Sequence, residues 1–164
     1  MDPNRRAFLR GRFLKELARR RSAALLPPWA VEDFAVRCTR CDACIAACPE
    51  RVLERGAEGY PELNVRQRGC TFCGACVDAC EPGALDGVRG VEQRYRAKIG
   101  PTCLAVRAVT CRLCELACEP DAIRFSLQRG GVATPSVDGS QCTGCGMCLH
   151  VCPSHAISLE ERSG

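Results

Sequence analysis

Sixteen cysteines fall at nearly regular intervals along this chain, and their spacing limits what it can fold into. Cys38, Cys41, Cys44 and Cys48 form a C-x2-C-x2-C-x3-C run, closed by Pro49. Cys70, Cys73, Cys76 and Cys80 repeat that spacing, and so do Cys142, Cys145, Cys148 and Cys152. A further copy is stretched: Cys103, then Cys111, Cys114 and Cys118. No cysteine lies outside these sets. Each ends on a proline, directly in Cys48-Pro49 and Cys152-Pro153, and after a glutamate in Cys80-Glu81-Pro82 and Cys118-Glu119-Pro120. Proline there stops a short helix and turns the chain back.

Aromatic residues make up only 5% of the 164 residues, thin material for an ordinary core. Small cysteine-rich folds offset such a deficit with metals or crosslinks. Disulfides suit exported proteins, and zinc sites pair separated C-x2-C units around one tetrahedral ion. Three cysteines at i, i+3 and i+6 followed by one at i+10 are the spacing of a cubane [4Fe–4S] cluster. The spacing therefore favours iron–sulfur over zinc or disulfide.

In two-cluster ferredoxins the fourth cysteine of each run ligates the other cluster. Applied here, Cys38, Cys41 and Cys44 take Cys80, and Cys70, Cys73 and Cys76 take Cys48. Cys142, Cys145 and Cys148 take Cys118. Cys111, Cys114 and Cys152 need one more ligand, and Cys103 is the cysteine left. The longer loop can still close, because loop-closure cost grows slowly with length. Three regular motifs thus specify three [4Fe–4S] sites and the Cys103 set a fourth. The alternatives for the last are a three-iron cluster, or an open iron site with Cys103 as a free buried thiol. His150 and His155 flank Cys152 but read as surface or packing residues, since that motif already has all its cysteines.

The expected fold is α+β: tandem bacterial 2[4Fe–4S] ferredoxin-like halves, with small hairpins and short helices around the clusters, behind a basic N-terminal arm. The arm covers residues 1–29, the first half 30–82, a linker 83–102 and the second half 103–164. Strand, glycine turn and strand are expected between Cys48 and Cys70, and again between Cys118 and Cys142, so the chain reads as an internal duplication. Ala43, Gly74 and Ala75 are small where backbone amides are expected to approach sulfur. Gly83, Gly87, Gly90 and Gly100 punctuate the linker, whose charged middle, Glu92-Gln93-Arg94-Tyr95-Arg96, reads as a solvated turn of helix.

Arg5, Arg6, Arg10, Arg12, Lys15, Arg19, Arg20 and Arg21 sit in the arm against Asp2 and Glu16, although the whole chain carries only +4. The cluster-bearing remainder is therefore mildly acidic. Phe8, Leu9, Phe13, Leu14 and Leu17 fall roughly on one face of a possible amphipathic helix over residues 4–21. Asn4-Arg5-Arg6-Ala7-Phe8-Leu9-Arg10 looks like a twin-arginine export signal, but no adequate apolar run or cleavage site follows it. A cytoplasmic protein without an integral membrane segment is expected. The basic patch lacks interleaved base-stacking aromatics, so nucleic acid is not the expected partner. Trp29, after Pro27-Pro28, reads as a plug against the body.

The arrangement resembles the NapF family, the ferredoxin-type accessory proteins of periplasmic nitrate reductase systems. The likeness is carried by Arg5-Arg6 with Phe8-Leu9-Arg10-Gly11-Arg12, by Pro27-Pro28-Trp29, and by Cys38-Thr39-Arg40-Cys41-Asp42-Ala43-Cys44. It continues in Arg55-Gly56-Ala57-Glu58-Gly59-Tyr60-Pro61 and in the stretched Cys103 set with Cys118-Glu119-Pro120. The resemblance implies a soluble cytoplasmic protein that binds the catalytic subunit of periplasmic nitrate reductase, NapA, before export, and helps install its iron–sulfur cluster. The other readings are a polyferredoxin carrying single electrons between redox partners, and a docking module whose clusters only fold the chain. There is no radical C-x3-C-x2-C motif, nucleotide loop or Ser/His/Asp constellation, so no enzyme is expected.

Overall fold

The computed structural model describes residues 25–88, 94–127 and 133–162. The amphipathic arm helix expected over residues 4–21 lies outside them. In chain order the elements are α1 (Phe34–Arg37), α2 (Ala43–Ala47), β1 (Leu53–Arg55), β2 (Pro61–Leu63), α3 (Ala75–Asp78) and β3 (Tyr95–Ile99). They continue with α4 (Leu113–Leu116), β4 (Ile123–Leu127), β5 (Ala133–Val137), α5 (Met147–His150) and β6 (Ile157–Glu161). These helices span only four or five residues. An isolated helix needs about 12–15 residues to be even marginal in water, so packing and whatever the cysteines hold must fix them.

The duplication is visible in three dimensions. Each half places a cysteine loop and short helix before an antiparallel hairpin, and another loop and helix after it. The hairpins are β1–β2, with Leu53 opposite Leu63, and β4–β5, with Ile123 opposite Val137. Each half is closed by pairing the segment before its first loop with the segment after its last. In the first half that closure is a single bridge, Ala30 to Leu85. In the second it is the ladder β3–β6, running from Tyr95–Glu161 to Ile99–Ile157.

The expected linker is therefore structured over much of its length. Ala84 and Leu85 are buried, and Tyr95 and Arg96 belong to β3, not to a turn of helix. Residues 89–93 lie outside the described residues. The segment Tyr95-Arg96-Ala97-Lys98-Ile99 alternates apolar and charged side chains, as a half-buried strand does; Tyr95 and Ala97 point inward while Lys98 is exposed.

Two principal cores result. Phe34, Val52, Leu53, Leu63, Val65, Leu85 and Tyr95 form the first. Ala97, Ala122, Ile123 and Ile157 form the second, together with Cys114, Cys142 and Cys148. Tyr95 lies in β3 yet packs into the first core, and its hydroxyl accepts the Leu26 N–H at 2.7 Å. Arg94 adds a bond to the Ala30 carbonyl at 3.2 Å. Residues 25–29 also pack on the body: Pro27 and Pro28 are buried, and the Leu25 carbonyl accepts the Leu63 N–H. Trp29 meets Phe72 edge to face, centroids 6.5 Å apart, which is the packing role expected of it.

Candidate metal centres

The regular cysteine loops bend alike because the residues on either side of each middle cysteine are left-handed. Arg40 and Asp42 have φ of 58° and 62°, Phe72 and Gly74 of 53° and 82°, and Gly144 and Gly146 of 75° and 82°. A non-glycine residue there costs on the order of 1 kcal/mol or more. Some of that cost is offset locally. Arg40 lies 4.2 Å over the Tyr60 ring and donates to the Tyr60 hydroxyl, and Arg55 pairs with Asp42. The third residue after each closing cysteine is left-handed too: Arg51, Gly83, Asp121 and His155. This turn is the structural role of His155. Its side chain and that of His150 are exposed.

These turns bring the cysteines together crosswise. One hollow is lined by Cys38, Cys41, Cys44 and Cys80, under Phe34 and Leu85. A second is lined by Cys70, Cys73, Cys76 and Cys48, with Trp29 and Val52 on its wall. A third is lined by Cys142, Cys145, Cys148 and Cys118, with Ile123 and Leu159. In each, the fourth thiol comes from the other loop of the same half. The stretched set gathers as well. Cys103 is buried with Ala105 and Ala156 against Cys152, and Cys103 and Cys111 are the thiols that act electrostatically on Cys114. Turns at residues 100–109, including Arg107 and Val109 bonded back to Cys103 and Leu104, take up the longer spacing.

None of the sixteen cysteines is paired in a disulfide. Burial is the main cause that pushes Cys44, Cys70 and Cys114 up to about 11, and Cys76 and Cys148 up to about 12. Neighbouring thiols add to the shift: Cys80 and Cys38 on Cys44, Cys70 and Cys48 on Cys76, and Cys145, Cys142 and Cys118 on Cys148. Thiolates crowded in apolar hollows need a cation to be stable, and several irons meet that need. The thiols surround each hollow from opposite elements. Among the described residues no three His, Cys, Asp or Glu side chains converge closely enough to hold one ion. A cubane takes four thiolates, one per iron.

The sites form a row. α2 packs on α3 and α4 on α5, and between the halves the Cys70 amide bonds to the Cys145 carbonyl at 2.7 Å. The Cys38 set thus adjoins the Cys70 set, which adjoins the Cys142 set, which adjoins the Cys103 set. Backbone amides reach sulfur at 3.4 Å from Phe72 to Cys70, Leu85 to Cys80, Ala97 to Cys142 and Ala156 to Cys152. Such bonds stabilise the more negative state of a sulfur-ligated centre and so raise its potential. The small residues singled out for this purpose serve the turns: Ala43 and Ala75 open α2 and α3, and Gly74 supplies a left-handed φ. Cys41 and Cys73 are exposed, which opens the first two sites at their rims.

Sequence reasoning did not pick out Tyr95, Gly144 or Gly146 as site-building residues. A Cβ on Gly144 would meet the Tyr95 carbonyl oxygen at 2.7 Å, and one on Gly146 would collide with the Val65 side chain. The available signal was the glycine on each side of Cys145.

Comparison with known proteins finds iron–sulfur relatives for both halves. A 4Fe-4S dicluster domain family matches residues 29–85, and a second family of that description matches residues 107–156. The latter match begins after Cys103. The chain is 40% identical to the ferredoxin-type protein NapF of Escherichia coli strain K12, over 98% of this chain and 96% of that one. It is also 40% identical to NapF of Haemophilus influenzae, over 96% and 93%. The methylamine utilization ferredoxin-type protein MauM of Methylorubrum extorquens is 32% identical, over 85% and 73%.

Proposed function

The chain belongs to the NapF family of ferredoxin-type proteins, and from that premise we propose an iron–sulfur accessory protein for the periplasmic nitrate reductase. In this reading it binds the cytoplasmic precursor of the catalytic subunit, NapA, and assists assembly of that subunit's iron–sulfur cluster before export. What supports it is the likeness to NapF proteins over nearly the whole length, arm included.

Cys38, Cys41, Cys44 and Cys80 would hold one [4Fe–4S] cluster, and Cys70, Cys73, Cys76 and Cys48 another. Cys142, Cys145, Cys148 and Cys118 would hold a third, and Cys103, Cys111, Cys114 and Cys152 a fourth. Such clusters supply one-electron chemistry, and a source of iron and sulfide where they are labile. The chain's own groups set the terms. Apolar walls from Phe34, Val52, Ile123 and Leu159 keep water back, amides temper the charge on sulfur, and the exposed rims at Cys41 and Cys73 give a partner access.

A second reading is a one-electron carrier within the nitrate reductase system. The spatial row of four adjoining sites favours it, because electrons can enter at one end and leave at the other. A transfer experiment under strict anaerobiosis separates the two. The protein is loaded with isotopically labelled iron, mixed with apo catalytic subunit, and separated again. The maturation reading expects label in the catalytic subunit together with gained activity. Stable binding with all label retained overturns cluster delivery and leaves a chaperone or an electron donor.

A further inference from the structure

Arg162 follows β6 and turns back onto the last cysteine loop. Its backbone N–H donates to the Arg94 carbonyl at 2.9 Å, which pins the chain there. Its Nη2 donates to the Cys142 carbonyl at 2.7 Å and also to the Gly139 carbonyl. The side chain is half-buried, and its Nε is buried with no hydrogen-bond partner among the described residues.

No carboxylate among the described residues pairs with this guanidinium. Asp138, on the same loop, is turned to the Ser140 amide and hydroxyl, at 2.8 and 2.6 Å. Glu160 on β6 is taken by Arg96 and Lys98, and Glu161 is exposed. Arginines near the other sites are placed differently. Arg37, Arg55 and Arg112 pair with Asp33, Asp42 and Glu115, while Arg51, Arg107 and Arg124 stand exposed.

A guanidinium withdrawn from water is costly unless an anion lies beside it. The anion that the fold supplies is the neighbouring site. Cys142 provides the carbonyl that Arg162 grips, and Cys142 also lines the hollow with Cys145, Cys148 and Cys118. The Cys142 sulfur takes the Ala97 amide at 3.4 Å as well. A [4Fe–4S] core held by four thiolates is anionic, and one-electron reduction adds a further negative charge. A fixed cation nearby favours the reduced state.

We propose that Arg162 is the counter-charge of the Cys142 site and raises its reduction potential above the value that the cysteines and amides alone would set. Arg162 is a positioning and tuning residue: it holds the loop through carbonyls and acts on the site through its charge. It biases an electron in the row toward this inner site of the second half. Iron–sulfur ligation of the hollow is the premise, and both the maturation and the carrier reading are compatible with it.

Anaerobic titration of the full-length loaded protein with dithionite, followed by electron paramagnetic resonance, tests this, with iron and sulfide per chain as the check on loading. The step belonging to the Cys142 site is the one that Cys145→Ser displaces or abolishes. Arg162→Gln keeps its iron and moves that step alone. At a fixed potential its ratio of reduced to oxidised sites falls by about tenfold, which is about 59 mV for one electron. Arg162→Lys keeps the charge and holds the parent's potential. An unmoved step in fully loaded Arg162→Gln overturns the proposal. Equal shifts in the Gln and Lys variants also overturn it, because the lost carbonyl bonds then carry the effect. Loss of this site's iron in Arg162→Gln makes the arginine structural and overturns it too. Zinc without sulfide in the unaltered chain overturns the iron–sulfur premise, and the proposal with it.

Discussion

The Cys70 amide donates to the Cys145 carbonyl at 2.7 Å, so the second cysteine loop of the first half is hydrogen-bonded to the last cysteine loop of the second. That bond commits an N–H beside one site to holding the other site's loop. Around it, Gly146 packs on Val65, and a Cβ on Gly69 would sit 2.7 Å from the Met147 sulfur. The halves are therefore joined at their inner sites, through backbone.

Gly146 carries a left-handed φ of 82° and the closest approach to Val65. Gly146→Ala is expected to destabilise by about 2 kcal/mol or more, from backbone strain plus the clash. Val65→Ala in the same chain takes away the two methyl contacts but keeps the Val65 Cβ, so it recovers only part of the clash and the two changes are less than additive. Denaturant unfolding of the four chains measures this coupling. A Gly146→Ala protein as stable as the parent would contradict the tight junction.

Crosswise ligation makes a specific exchange. Cys80→Ser removes a thiol from the hollow of Cys38, Cys41 and Cys44 while leaving the hollow of its own run intact. Site-selective loss is expected in the first site, read by pairing Cys80→Ser with Cys38→Ser: the double variant loses one cluster, not two. Loss of two clusters in the double variant would sink the assignment.

Cys103 sits buried beside Ala156 and Cys152 and acts on Cys114. Cys103→Ser is expected to lower iron by about one atom, or by about four if the cluster is lost. Unchanged iron with an unchanged electron paramagnetic resonance spectrum would make Cys103 a packing thiol.

Burial holds the Tyr95 hydroxyl above its ordinary 10.0, the Leu26 amide and Arg94 pulling weakly the other way. The folded chain thus binds that proton more tightly than the unfolded chain. The stabilisation is whole below pH 10, and is lost as pH rises from there through the higher folded value. Tyr95→Phe should remove this alkaline slope and forfeit about 1 kcal/mol for the Leu26 bond. Anaerobic unfolding at pH 8, 10 and 11 compares them; an undiminished slope in Tyr95→Phe would assign it elsewhere.

The cysteine spacing made the sites and the duplication legible, because a cubane imposes its loop length on the chain directly. The hairpins were legible from their glycine turns and alternation. β3 was not, because Arg94 and Arg96 read as a solvated face, while Lys98 finds Glu160 of the partner strand β6 only 62 residues further on. Nor was the groove lined by Val65, Tyr95 and Leu159, which exists only once those three separated segments have been brought together. The packed start at Leu25 was hidden for a similar reason: its anchor is a backbone bond to Leu63, which carries no sequence signature.

Four crosswise [4Fe–4S] sites in one chain fix how much metal the protein carries. Iron and acid-labile sulfide per chain, measured on anaerobically purified full-length protein, are expected at about sixteen of each, four per cubane. About twelve would remove the Cys103 site, and zinc without sulfide would overturn iron–sulfur ligation in every site.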